Sequence, residues 1–199
     1  MVNNMFFEQR EHFQEFPPDL FKRYEIVALA ESAHGQHDET ILRILNQFIE
    51  QIDAVFIELP INYQKSIDEY LNNGQVDEAL EQLFAGAEKE GKNIRGLLDI
   101  LDKIKTARKS VICFDSSKIP EGEYQTPANY GRYFLKGKSR DEDMFTSFSK
   151  HLNANPGKYL LIGGRNHYDL GEHPRSGDTT LGQKLHDALE ERFVSLNMD

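Results

Sequence analysis

The apolar run Ile26-Val27-Ala28-Leu29-Ala30 gives way to Glu31-Ser32-Ala33-His34-Gly35, and a new hydrophobic spacing then starts. Ile41, Ile44, Leu45, Phe48, Ile49 and Ile52 recur every three or four residues. The first pattern predicts a strand over 25–31 and the second a helix over 36–51 with one buried stripe. The same alternation repeats along the chain. Strands are expected at 53–59, stopped by Pro60, and at 111–114, 158–162 and 193–197. Helices are expected at 62–73, 76–86, 93–108, 139–154 and 180–191, and a short one over 4–16 closes at Pro17-Pro18.

Strands alternating with helices imply right-handed β-α-β units. The fold class is therefore α/β, a mostly parallel sheet of about five strands flanked by helices. The helical patterns at 62–73 and 76–86 are polar, and Asn72-Asn73-Gly74 separates them. They predict a small helical cap, inserted at about 62–91, outside the core of a single domain covering 1–199. Residues 118–138 carry Tyr124, Tyr130, Tyr133 and Phe134 without periodicity. Loops of that length are uncommon unless functional, so the segment reads as a lid or substrate loop.

The ends of the strands hold the chemistry. In an open α/β sheet, ligands bind at the carboxyl edge. Glu31 and His34 follow the first strand, Glu58 ends the second, and His167 ends the fourth after Gly163-Gly164-Arg165-Asn166. Asp141 lies one turn before the apolar stripe Met144, Phe145, Phe148 and Leu152, with Arg140 beside it. His37 and Asp38 occupy the core-side face of the first turn after His34. Polar groups where a buried stripe should begin are costly unless paired or functional. Each residue also has a structural reading. Glu31 and Glu58 can end strands in solvent, His34 can be a turn residue, and His167 can hold a loop. Asp141 can sit at a helix N-terminus, stabilised by the macrodipole. Arg43 falls opposite its helix's apolar stripe, the place of a solvated side chain.

Charge and cysteine content narrow the function classes. A net charge of -10 argues against a nucleic-acid partner, which needs a basic stripe. The single cysteine, Cys113, excludes an intrachain disulfide framework and multi-cysteine metal sites, and its apolar surroundings predict a core residue. No apolar run approaches the roughly 20 residues of a membrane span. The first residues lack a basic start and a signal-type apolar stretch, so the chain reads as cytoplasmic, or as exported without a cleaved signal. Sharper motifs are missing. There is no Gly-x-Ser-x-Gly elbow, and the P-loop-like stretch from Gly86 to Lys92 has Asn93 in place of Ser/Thr and follows a helix.

Glu31-Ser32-Ala33-His34-Gly35, with Asp38 and Arg43 further on, resembles the opening motif of erythromycin esterases. Arg140-Asp141-x-x-Met144 resembles a second segment of theirs, and the run from Leu160 to His167 resembles their strand ending in a histidine. Thr180-Leu181-Gly182-Gln183-Lys184-Leu185 is similar to their Leu-Gly-x-x-Leu helix start. The wider superfamily includes the Tiki/TraB proteases, the ChaN haem-binding lipoproteins and a toxin domain that cleaves small GTPases. Three positions depart from the esterase pattern. Ala30 stands for a glycine, Asp38 for a glutamate and Gly164 for a histidine.

The resemblance implies a hydrolase of an ester, lactone or peptide bond, acting on a small molecule or peptide. Glu31, His34, Glu58, Arg140 and His167 would be catalytic. His34 would serve as general base on water, Glu31 or Glu58 would orient it, and Arg140 and His167 would face the oxyanion. His37, Asp38, Arg43, Asp141 and Asn166 would line the substrate site. A divalent metal held by Glu31, His34, Glu58 and His167 stays open as a variant. So do a haem- or ligand-binding role and an inactive effector or binding module.

Overall fold

The computed structural model describes residues 16–32, 37–89, 91, 93–115, 140–172 and 177–198. Five strands form one sheet: β1 (Ile26–Glu31), β2 (Ala54–Pro60), β3 (Ser110–Asp115), β4 (Tyr159–Gly164) and β5 (Phe193–Met198). Their order is β3-β2-β4-β1-β5, and every pairing is parallel. Among the described residues the helices are α1 (Leu20–Arg23), α2 (Asp38–Phe48), α3 (Gln64–Asn73), α4 (Glu78–Lys89) and α5 (Ile94–Thr106). They continue with α6 (Arg140–Ala154), α7 (Arg165–Tyr168) and α8 (Leu181–Leu189). The helix expected over 4–16 lies outside the described residues except for Phe16, which is buried. The loop expected over 118–138 lies outside them altogether.

Why the strands read as unbroken apolar runs follows from the layers. Val27, Leu29, Val55, Ile57, Leu160 and Ile162 face one core, with Ile41, Leu45, Ile100 and Leu101 of α2 and α5. Ile26, Ala28, Phe56 and Leu161 face the other, with Met144 and Phe148 of α6 and Leu181 and Leu185 of α8. Parallel strands covered on both sides have no polar face. The helical insertion belongs to the first of these layers. Ile67 and Tyr70 of α3 and Leu80 and Phe84 of α4 join that core, so the insertion is packed onto it instead of standing outside. Its sequence looked polar because only one narrow stripe of each helix is buried.

Chain direction positions the site. From β1 the chain crosses to β2 and then β3 by way of helices on one face. It returns to β4 and then β5 by way of α6 and α8 on the other face. The connections leaving β2 and β4 therefore diverge, and these two strands are neighbours. Such a divergence opens a crevice at the carboxyl edge. Beside it, the β2–β3 register shifts between Ile57 and Pro60, which leaves one extra residue in β2 at the level of Glu58 and Leu59.

Candidate active site

Glu58 stands at the floor of that crevice. The peptide N–H of Gly164 donates to its Oε2 at 2.6 Å, tying the end of β2 to the end of β4. The approach needs Gly163. A Cβ there would lie 2.6 Å from Glu58 Oε2 and 3.0 Å from Tyr168 Cε2. Arg140, the first residue of α6, reaches over from the next layer. Its Nη2 donates to Glu58 Oε1 at 2.8 Å and to Asp115 Oδ2 at 2.6 Å, and its Nε donates to Asp115 Oδ1 at 2.9 Å. The guanidinium fork thus takes Asp115 with two nitrogens, a geometry that lysine lacks. Asp115 was not expected from the sequence. The third strand was expected to stop at Phe114, one residue short, although an acidic residue after an apolar run was the signal that marked Glu31 and Glu58.

His167 belongs to the short helix α7, not to the end of β4 as expected, because β4 stops at Gly164 and the chain turns helical from Arg165. Its Nδ1 lies 2.8 Å from Asp141 Oδ1 and its Nε2 lies 3.4 Å from Glu58 Oε1. Burial alone would push this imidazole down, but Glu58 and Asp141 outweigh burial and the opposing Arg140, and its pKa is raised above the ordinary histidine value of 6.5. The two carboxylates on either side of His167 therefore favour its imidazolium form. A group whose folded pKa is raised stabilises the fold fully below its unfolded pKa and loses that contribution as pH rises through the folded value. The stability gap between the wild type and His167→Gln should accordingly be widest below the ordinary histidine value of 6.5 and shrink as the pH rises through the raised folded value. Urea midpoints across that range check this, and a gap that widens with pH would refute the imidazolium assignment.

Asp141 is held from two sides. Its Oδ1 also accepts the Leu181 N–H at 3.0 Å, so the first turn of α8 points at it. Here the Leu-Gly pair of the sequence motif finds its reason. Leu181 is buried, and a Cβ on Gly182 would fall 2.2 Å from the backbone oxygen of Tyr168. Helix α8 can touch α7 only without that carbon. Gly182→Ala should thus cost about 1–3 kcal/mol, because overpacking exceeds the ~1 kcal/mol gained in helix propensity. A urea midpoint equal to or above that of the wild type would contradict this contact.

The remaining expected residues fall into two groups. Glu31 and Asp38 are buried near this edge. The pleat places Glu31 with Val27 and Leu29, on the α2 side of the sheet, whereas Glu58 shares the opposite side with Phe56. Burial first, then Glu31, raises the Asp38 carboxyl, although Asn93 donates to its Oδ2 at 2.8 Å and lowers it. Asp38 thereby ties α2 to the start of α5. His37 Nε2 lies 3.0 Å from Ser32 Oγ. Arg43 and Asn166 are exposed. Arg43 lies within 3.4 Å of Thr40 Oγ1, on the outward face that its helical phase predicts. His34 lies outside the described residues, between Ser32 and His37 in the chain.

Among the described residues no group of three or more His, Cys, Asp or Glu side chains is arranged to hold a metal ion. Both oxygens of Glu58 and both of Asp115 accept protein hydrogen bonds.

No protein-family model matches the sequence, and no curated protein matches it. Solved structures do match in fold. A succinoglycan biosynthesis protein superposes with a TM-score of 0.62 at 12% identity, covering 94% of this chain and 69% of that one. The Pasteurella multocida toxin, whose C-terminal region has a thiol-protease-like catalytic triad, gives 0.62 at 14% identity, covering 92% of this chain and 24% of the toxin chain. An erythromycin esterase in its open conformation gives 0.56 at 13%, covering 89% and 70%. Against another bacterial toxin the chain spans 35% of the partner's length, so it matches only a part of either toxin chain. The fold class is thus the one that the sequence motifs implied, a parallel α/β domain shared with erythromycin esterase.

Proposed function

We propose that the protein is a hydrolase of an ester, lactone or peptide bond, with its site at the carboxyl edge of the sheet. One observation carries this reading. Glu58, Asp115, Arg140, Asp141 and His167 come from two strand ends and two helices, yet form one buried, interlocked set where the β2 and β4 connections part. Buried ionic networks of this kind at a ligand-binding crevice favour function over stability alone.

Water is the nucleophile in this proposal. A thiol mechanism like that of the toxin region has no residue here. Cys113 is buried within β3, and burial, with a smaller contribution from Asp68, pushes its thiol up to about 12. His34, three residues beyond Glu31, takes the proton from water, and Glu31 or Glu58 orients its ring. Arg140 and His167 fix Glu58 in one orientation. Their positive charge also offsets the carboxylates around the acyl oxygen as it becomes negative. His37, Asp38, Asp141 and Asn166 frame the substrate on the two sides of the edge.

The test is a panel of three uncharged acyl substrates: p-nitrophenyl butyrate, an N-acyl homoserine lactone and a blocked chromogenic peptide. Turnover of at least one class by the purified protein supports the proposal. Absence of turnover on all three overturns it.

A further inference from the structure

The last strand, Phe193-Val194-Ser195-Leu196-Asn197-Met198, carries neither charge nor proline in a chain of net charge -10. It also lies at one edge of the sheet, where proteins usually place a charge, a proline or a bulge to prevent pairing. No bulge takes their place, because the register of β5 with β1 is unbroken from Phe193 to Met198. The opposite edge is closed. Gln64 of α3 donates from Nε2 to the Val111 carbonyl at 2.9 Å, and its Oε1 accepts the Cys113 N–H at 2.8 Å. Its amide thus occupies the main-chain groups that β3 turns outward.

Main-chain direction decides what β5 offers. The Met198 carbonyl accepts the Ser32 N–H at 3.3 Å, and the Arg192 carbonyl accepts the Glu25 N–H at 2.9 Å. Even-numbered residues of β5 therefore turn their N–H and C=O to β1, and Phe193, Ser195 and Asn197 turn theirs outward. Among the described residues no strand pairs with that side. Val194, Ser195 and Leu196 are half-buried and Asn197 is exposed. Ser195 Oγ is enclosed, so the exposure of that residue falls on its remaining atoms, the outward main chain included.

We propose that the β5 edge is the interface with a second copy of this chain, joining two five-stranded sheets into one. Two like edges meet about a two-fold axis normal to the sheet, with the strands antiparallel. An axis at Ser195 makes the strand its own complement. Ser195 exchanges both main-chain hydrogen bonds with the second copy's Ser195, and Phe193 does so with the second copy's Asn197. Val194 then stands opposite the second copy's Leu196, and both side chains lie on the α2 side, where each already packs on the core. Charge favours this seam over any other. Two copies of net charge -10 repel, and here six consecutive uncharged residues meet. Three such residue pairs supply about six hydrogen bonds, against the roughly 10 of a standard interface, so the dimer is concentration-dependent. The inference is independent of the hydrolase reading.

Sedimentation equilibrium of the full chain from about 1 μM to about 1 mM tests it. The average mass should rise from that of one 22.9 kDa chain towards that of two, and more readily as salt screens the repulsion. Amide hydrogen exchange reads the register. The Phe193, Ser195 and Asn197 amides should exchange fast when dilute and become protected as the dimer forms, whereas those of Val194 and Leu196 are protected throughout. Ser195→Pro removes an N–H that β1 does not use, so it should raise the dimer dissociation constant at least ~10-fold and leave the circular dichroism unchanged. If that variant does not fold, Asn197→Pro removes another outward N–H at an exposed position and should weaken the dimer likewise. A mass fixed at one chain over the whole range overturns the proposal. So does a dimer that leaves the three odd-numbered amides unprotected, or one that both foldable proline variants form as tightly as the wild type. Protection of those amides without any rise in mass would mean that another segment of the same chain covers the edge, and would overturn it too.

Discussion

Replacing Arg140 by methionine should lower the free energy of unfolding by about 3–5 kcal/mol, the usual cost of removing one partner from a buried ion pair. Methionine fills much of the same volume, so lost packing is a minor part of this. What dominates is the pair left behind. Glu58 and Asp115 are both about 7% exposed at the side chain, and both depend on Nη2 of Arg140. Without it, two carboxylates face each other across a crevice with little water to separate them. Removing their charge should therefore restore much of the loss, so the triple variant Arg140→Met, Glu58→Gln, Asp115→Asn should be more stable than Arg140→Met alone. Such a non-additive result is expected when residues act as one network. Urea midpoints of the three proteins provide the check. A loss below about 1 kcal/mol, the scale of exposed pairs, would mean that the guanidinium is not enclosed between the two acids.

The second large effect falls on turnover. His34→Gln should reduce kcat by about 10²–10⁴, the usual contribution of a general base, with the circular dichroism and urea midpoint close to those of the wild type. The argument is one of position. His34 follows Glu31 by three residues in the sequence, and Glu31 ends β1 at the same edge of the sheet as the Glu58 cluster. His167 is poorly placed to take over, because both its ring nitrogens face carboxylates, which favour its protonated form. The two histidines should therefore behave differently. His34→Gln should slow hydrolysis by that factor and leave the pH dependence of stability intact, whereas His167→Gln should alter that dependence. Hydrolysis by His34→Gln at the wild-type rate would remove the base from the mechanism.

The local elements were legible because each is set by short-range burial. Five apolar runs gave five strands, and helical stripes gave α2, α5, α6 and α8 to within a few residues. Asp141 was expected at the head of the α6 stripe for the same reason, and it is among the most deeply buried polar residues described. The rim of acids was partly legible. Glu31 and Glu58 stood out, and Asp115 was passed over, because a single acid after a strand is a common way for a strand to end.

Taken alone, the chain determined which segments are strands and helices, that strands and helices would alternate around a parallel sheet, and which strand ends carry acids and histidines. Only the tertiary structure decided which of those groups meet. Arg140 finds Asp115 across 25 residues of sequence and Glu58 across 82, and His167 finds Asp141 across 26. Those meetings depend on the strand order β3-β2-β4-β1-β5 and on the register shift beside Glu58. Hydrophobic periodicity records whether a residue is buried and on which face of its own element. It holds no record of the neighbour on the next strand, so the pairing of charges emerges only once the layers have packed.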